Sequence, residues 1–152
     1  MKTKILSIIC LISMSLSSYK TLENPTRIVF FGDSITQAGV GKTGYITKMA
    51  EMLSSKGLSG KYELIGAGIG GNKIYDLYLR LEKDVLDQHP DVVVIWVGVN
   101  DVWHKADFGT GTDLDKYGKF YDAVVKKIQA TGAKVVVVTP AAIGERTDYS
   151  NS

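Results

Sequence analysis

Ser34 sits in the stretch Phe30–Tyr45, FFGDSITQAGVGKTGY, one turn of chain after a short apolar run. A serine hydroxyl in that place could attack an ester carbonyl. It would need a base to take its proton and donors to receive the charge that develops on the carbonyl oxygen. Gly-Asp-Ser is also ordinary turn chemistry, so these three letters alone leave a nucleophile and a plain turn both open. The same stretch carries a second motif, GVGKT, which is the ending of a phosphate-binding loop. The full pattern requires a glycine five positions before Gly41, and Thr36 stands there. Without that glycine the loop cannot wrap its amides around a phosphate. The partner strand, Val92–Val97, runs into GVND and not into a magnesium-holding aspartate. A nucleotide-binding α/β domain is therefore the remote alternative, and GVGKT reads as a glycine-rich approach to a helix with Thr43 as its cap. Nor is Ser34 in the nucleophile elbow G-x-S-x-G, which again wants glycine at position 36.

Two further loops bear on Ser34. GAGIGGNKI (66–74) follows a second apolar run, and GVND (98–101) follows a third. The Ser34 amide, the Gly71 amide and the Asn100 carboxamide could supply three donors to one developing oxyanion. Glycine suits the second position because only hydrogen shields its amide.

These loops need elements to carry them. Arg27–Phe31 reads as a buried strand closed by Gly32. Thr43–Lys56 has apolar residues at helical spacing, and Gly57 ends it. Tyr62–Gly66 is a second strand; Ile74, Leu77, Leu81 and Val85 mark one face of a second helix. Asp91–Val97, DVVVIWV, is apolar on both faces, as a central parallel strand must be. Tyr117, Phe120, Tyr121, Val124, Val125 and Ile128 form a helical stripe ending at Gly132, and Lys134–Thr139 is the fourth strand. Strands alternating with helices predict a parallel sheet covered on both faces, with functional residues on the loops after the strand ends.

FFGDSIT, GIGGN and GVND, in this order, resemble the first three conserved blocks of the SGNH, or GDSL-type, hydrolases. The resemblance spans the whole chain after its N-terminal leader. It implies a flavodoxin-like three-layer α/β/α sandwich and an esterase, lipase or carbohydrate deacetylase working without metal or organic cofactor. It also implies Ser34 as nucleophile and oxyanion donor, Gly71 and Asn100 as the other two donors, and Asp33 and Asp101 as neighbours that shape the loops. Many members carry asparagine where Gly66 stands. The family's base is a histidine in an Asp-x-x-His block after a fifth strand, and the chain is read as holding no such block anywhere and so no catalytic His/Asp pair. The expectation is that residues 25–152 are the N-terminal portion of a single domain, lacking its last helix and strand and by itself poorly active. Of the two histidines, His89 precedes the third strand at the far edge of the sheet and reads as structural. His104 lies just past Asn100 and reads as a pocket or substrate-side residue. Trp96 and Trp103 read as core and rim packing. A non-catalytic module holding a carbohydrate or acyl group in the same pocket is the alternative from another class.

The 152 residues fit one domain. The N-terminus places Lys2 and Lys4 before an uncharged run from Ile5 to Leu16 and small residues at Ser15, Ser17 and Ser18. That is the layout of a secretory signal peptide over residues 1–18, too short for a permanent membrane anchor, and it predicts a secreted or periplasmic protein. Removing those two lysines from the 18 basic residues leaves 16 against 16 acidic. A near-neutral chain gives no electrostatic reason to expect nucleic acid as a partner; a small-molecule or carbohydrate ester is the expected one, whether an acetylated carbohydrate, a short-chain ester or a lysolipid. Cys10, the single cysteine, lies inside the leader, so the mature chain would have neither disulfide nor thiolate chemistry.

Overall fold

The structure is a computed structural model and describes residues 24–141; the expected leader, its cleavage site and Cys10 lie outside the described residues. The strands are β1 (Thr26–Gly32), β2 (Tyr62–Gly68), β3 (Val92–Trp96) and β4 (Lys134–Val137). The helices are α1 (Ser34–Gly39), α2 (Tyr45–Ser55), α3 (Ile74–Asp84), α4 (Val99–Phe108) and α5 (Leu114–Gln129). All four strands are parallel, in the order β2-β1-β3-β4. This is the expected doubly wound sheet, and its strand order reverses at β1, the switch point where such sheets place their sites.

Alternation along the strands builds two apolar layers. Val29, Phe31, Val93 and Ile95 point to one face and bury against Ile74, Leu77 and Leu81 of α3 and Val124 and Ile128 of α5. On the other face Phe30, Tyr45 and Trp96 stack edge to face, with 5.7 Å between successive ring centroids, and Ile46 of α2 is buried beside them. Burial of this kind stabilises by about 25 cal/mol per Å² of apolar surface, which is what holds thin helices to a four-stranded sheet.

Register decides where the loops begin. Gly32 lies opposite both Gly68 and Trp96, so β1, β2 and β3 end level and release their loops side by side. Gly68 also permits a close approach: a Cβ there would fall 2.1 Å from the Gln37 nitrogen and 2.4 Å from the Thr36 carbonyl carbon. Backbone therefore rests on backbone, and α1 is pressed against the end of β2.

Five local expectations differ from what the structure shows. Ser34 opens a short helix directly, and Asn100 with His104 lies on a helix where a loop was expected. The cap of α2 is Gly44, with no side-chain bond, and not Thr43. Gly44 is forced there because a Cβ would meet the Gly39 oxygen at 2.2 Å. Strand β2 runs on to Gly68, and β4 stops at Val137. Val136 and Val137 are 47% and 57% exposed, and among the described residues β4 has no neighbour on its outer side. No described helix is long and apolar enough to cross a membrane.

Candidate functional site

Ser34 is the first residue of α1 and is exposed. Asp33 caps that helix: its Oδ1 accepts the Ile35 amide at 3.0 Å, and its carbonyl accepts the Gln37 amide at 2.9 Å. The Ser34 amide lies between these two bonds and has no acceptor among the described residues. A free amide at a helix start is a donor aimed at negative charge. Asp33 itself is only 1% exposed. Burial raises its carboxyl above the usual range, against the lowering effect of the Ile35 amide and its own.

The loop after β2 is gripped at almost every residue. The Ile69 amide donates to the Gly32 carbonyl at 3.2 Å, and the Gly70 amide donates to Gln37 Oε1 at 2.8 Å. Lys73 Nζ reaches the Gly71 carbonyl at 3.2 Å, and Arg80 Nε reaches Asn72 Oδ1 at 2.7 Å. The amides of Asn72, Lys73 and Ile74 donate to the Ile69 carbonyl, Asp76 and Asp101 respectively. The Gly71 amide is the exception in this run and has no acceptor among the described residues. Gly71 has φ +75°, a conformation that side chains disfavour, so glycine both permits the turn and leaves the amide bare.

Asn100 and Asp101 lie in the first turn of α4, each 2% exposed. Asn100 Nδ2 donates one hydrogen to the Asn72 carbonyl at 3.0 Å; an amide nitrogen carries two, so one remains. On the other flank of the loop, a Cβ built on Gly70 would lie 3.9 Å from Ser34 Cβ. Ser34 thus lies by the Gly70 end of the Gly70–Asn72 stretch and Asn100 by its Asn72 end, with Gly71 between them along the chain.

Asp101 is engaged by the start of α3. Both its oxygens lie 3.2 Å from the Ile74 amide, so it caps α3 from across the fold. Burial raises its carboxyl above the usual 3.8, and the Thr112 hydroxyl, the Ile74 amide and the Lys73 charge oppose that rise. A raised carboxyl holds its proton in the folded chain at a pH where the unfolded chain has released it. Its favourable contribution is therefore full below pH 3.8 and lost as pH rises through the folded value. Asp101→Asn should accordingly be more stable than the parent in urea unfolding at pH 7. The difference should shrink toward zero as pH falls below that window; a difference that grows on acidification would contradict this.

The letters Asp101-Val102-Trp103-His104 do have Asp-x-x-His spacing, against the expectation that the chain holds none. The structure does not make them a pair. Asp101 turns to the start of α3, whereas the His104 ring packs on Trp103 and Phe108, 5.4 and 5.1 Å between centroids. His104 does border the rim, since its Cε1 would lie 3.7 Å from a Cβ on Gly71. No hydrogen bond joins it to Ser34 among the described residues. His89 has φ 49° just before β3, on the edge of the sheet opposite Ser34. Trp96 is in the aromatic layer and Trp103 is 44% exposed at the rim. Gln37, Asn72, Lys73 and Arg80 were missed by sequence reasoning. For Arg80 a signal existed, a cation flanking the apolar stripe of α3.

A parallel α/β sheet with a serine, a glycine amide and a carboxamide on three level strand tips defines a class of hydrolase-like α/β proteins. Residues 30–152 match the profile of the GDSL-like lipase/acylhydrolase family, and the chain belongs to that family. It is 31% identical over 113 residues to an acetylxylan esterase of Geobacillus stearothermophilus, covering 67% of this chain and 52% of that protein. It is also similar to the crystal structure of the acetyl xylan esterase AlAXEase, with 67% identity and a TM-score of 0.77, over 82% of this chain and 63% of that one. A third likeness is to the Geobacillus esterase Axe2 in a catalytic aspartate-to-alanine mutant, with 26% identity and TM-score 0.68, over 86% and 68% of the two chains. Further catalytic mutants of Axe2 replace a histidine and a serine. The chain thus spans about half the length of the curated relative and under two thirds of the AlAXEase chain.

Proposed function

We propose that this chain carries the nucleophile and oxyanion site of a carboxylic ester hydrolase that removes acetyl groups from an acetylated carbohydrate. The observation that carries the reading is the set of three free N–H groups, the amides of Ser34 and Gly71 and the second Asn100 Nδ2 hydrogen, beside a loop whose other backbone amides are bonded. In the reaction Ser34 Oγ attacks the acetyl carbonyl and loses its proton to a base. The carbonyl oxygen becomes negative within reach of the three donors. Collapse expels the sugar hydroxyl, which takes the proton, and leaves acetyl-Ser34. Water then attacks, acetate leaves, and the serine is restored.

No hydrogen bond links Ser34 to an imidazole in the described residues, so the base is proposed to come from elsewhere in the complete protein. The catalytic aspartate and histidine mutants of Axe2 support that placement. The acetyl group as substrate is supported by what the two esterases are said to act on. Export is part of the same proposal, supported by the leader at residues 1–18; a mature protein whose sequenced N-terminus is Met1 would refute it.

The test is acetate release by the complete gene product from acetylated xylo-oligosaccharide, beside a short-chain and a long-chain synthetic ester. Release from the sugar and the short ester is expected. A product that hydrolyses no ester, yet binds the sugar, would make this a binding module instead. The 152 residues alone are expected to turn over these esters at least ~10³-fold more slowly, as loss of a triad base does. Equal rates for the two proteins would contradict an outside base.

A further inference from the structure

We infer that Arg80 is a positioning residue that holds the three oxyanion donors in register, an inference that rests on the esterase reading above. Its guanidinium extends from α3 beneath the strand tips and bonds three separate segments. Nη2 donates to the Gly32 carbonyl at 2.8 Å and to the Ala67 carbonyl at 3.0 Å, which ties the end of β1 to the end of β2. Nε donates to Asn72 Oδ1 at 2.7 Å, in the loop between Gly71 and Ile74. Nη1 pairs with Asp84 at 2.7 Å, one turn along the same helix, and the Phe31 ring lies 4.6 Å from Cζ. The side chain is 14% exposed, so these bonds form largely out of water, where they are stiffest.

Two of these contacts lie close to the donors, at Gly32 and at Asn72. Gly32 is followed by Asp33 and then by Ser34, whose free amide begins α1. Asn72 adjoins Gly71 on one side, and its own carbonyl receives Asn100 Nδ2. Arg80 therefore reaches Ser34 through Gly32, Gly71 through Asn72, and Asn100 through the same asparagine. A lysine cannot replace it, because an ammonium is a point charge and cannot span three acceptors in a fixed plane. Misplacing donors by a fraction of an ångström to an ångström costs on the order of 10–100-fold in rate.

The experiment compares Arg80→Lys, Asn72→Ala and Asp84→Asn in the complete gene product, reading kcat, KM and melting temperature on acetylated xylo-oligosaccharide. Arg80→Lys and Asn72→Ala are expected to lose about 10–100-fold in kcat with KM little changed. Asp84→Asn, which loses only the ion pair on the outer side of the guanidinium, is expected to stay within about threefold of the parent. For Arg80→Ala, added guanidinium should restore part of kcat without raising the melting temperature in proportion. Asn72→Ala keeps its backbone carbonyl and tests the link even if no Arg80 variant folds. Arg80→Lys and Asn72→Ala that lower the melting temperature but keep kcat would overturn the inference while leaving the esterase reading intact. A parent protein that hydrolyses no ester would bring down both.

Discussion

Ser34→Ala is expected to reduce ester hydrolysis by the complete gene product by roughly four to six orders of magnitude, the loss seen when a hydrolase loses its nucleophile. The fold should barely notice. Ser34 is exposed, its hydroxyl makes no hydrogen bond among the described residues, and the cap of α1 is supplied by Asp33. Alanine is also the best helix former at the position it would occupy. The melting temperature should therefore move by no more than a degree or two, on the scale of a change under about 0.5 kcal/mol. Substrate binding should persist, because the change removes only one hydroxyl oxygen from the site. An alanine variant with even a tenth of the parent kcat would remove Ser34 from the chemistry.

Asn100→Ala is expected to carry two separate losses. Removing one oxyanion donor costs about 10²–10³ in kcat, with KM changed far less, since the donor acts mainly on the charged intermediate. The second loss is structural. Asn100 is 2% exposed and donates to the Asn72 carbonyl, so truncation leaves that carbonyl unpaired in a part-buried place. Such an orphan costs about 1–3 kcal/mol. Urea unfolding reads the second loss and steady-state kinetics on the folded protein reads the first. A variant that is destabilised yet catalyses normally would assign Asn100 to the loop alone.

Much of this architecture was legible because it rests on patterns that the chain must obey. Val92–Trp96 is apolar on both faces and could only be a central strand; Ile74, Leu77 and Leu81 repeat at helical spacing and do form the buried face of α3. The three loops were legible because each begins where such a strand ends. The helical state of Ser34–Gly39 and Val99–Phe108 was not. Both contain glycine, or begin beside it, and short polar residues that locally favour turns; packing against the strand tips overrides that preference. The Arg80 network was hidden for a different reason. Two of its acceptors are backbone carbonyls, of Gly32 and Ala67, 48 and 13 residues away, and a carbonyl leaves no mark on the sequence. The Asp-x-x-His letters at Asp101 and His104 show the converse: spacing suggests a pair, yet on α4 the two side chains leave in different directions.

The most direct measurement is the site of covalent capture when the complete gene product meets a fluorophosphonate, a reagent that bonds an activated serine. Digestion and mass spectrometry should find the phosphonyl mass on the peptide holding Ser34, formed more slowly while substrate competes for the site and absent in Ser34→Ala. An adduct on another residue, or no adduct from a protein that does hydrolyse esters, would mean that the three donors surround something other than the reacting carbonyl.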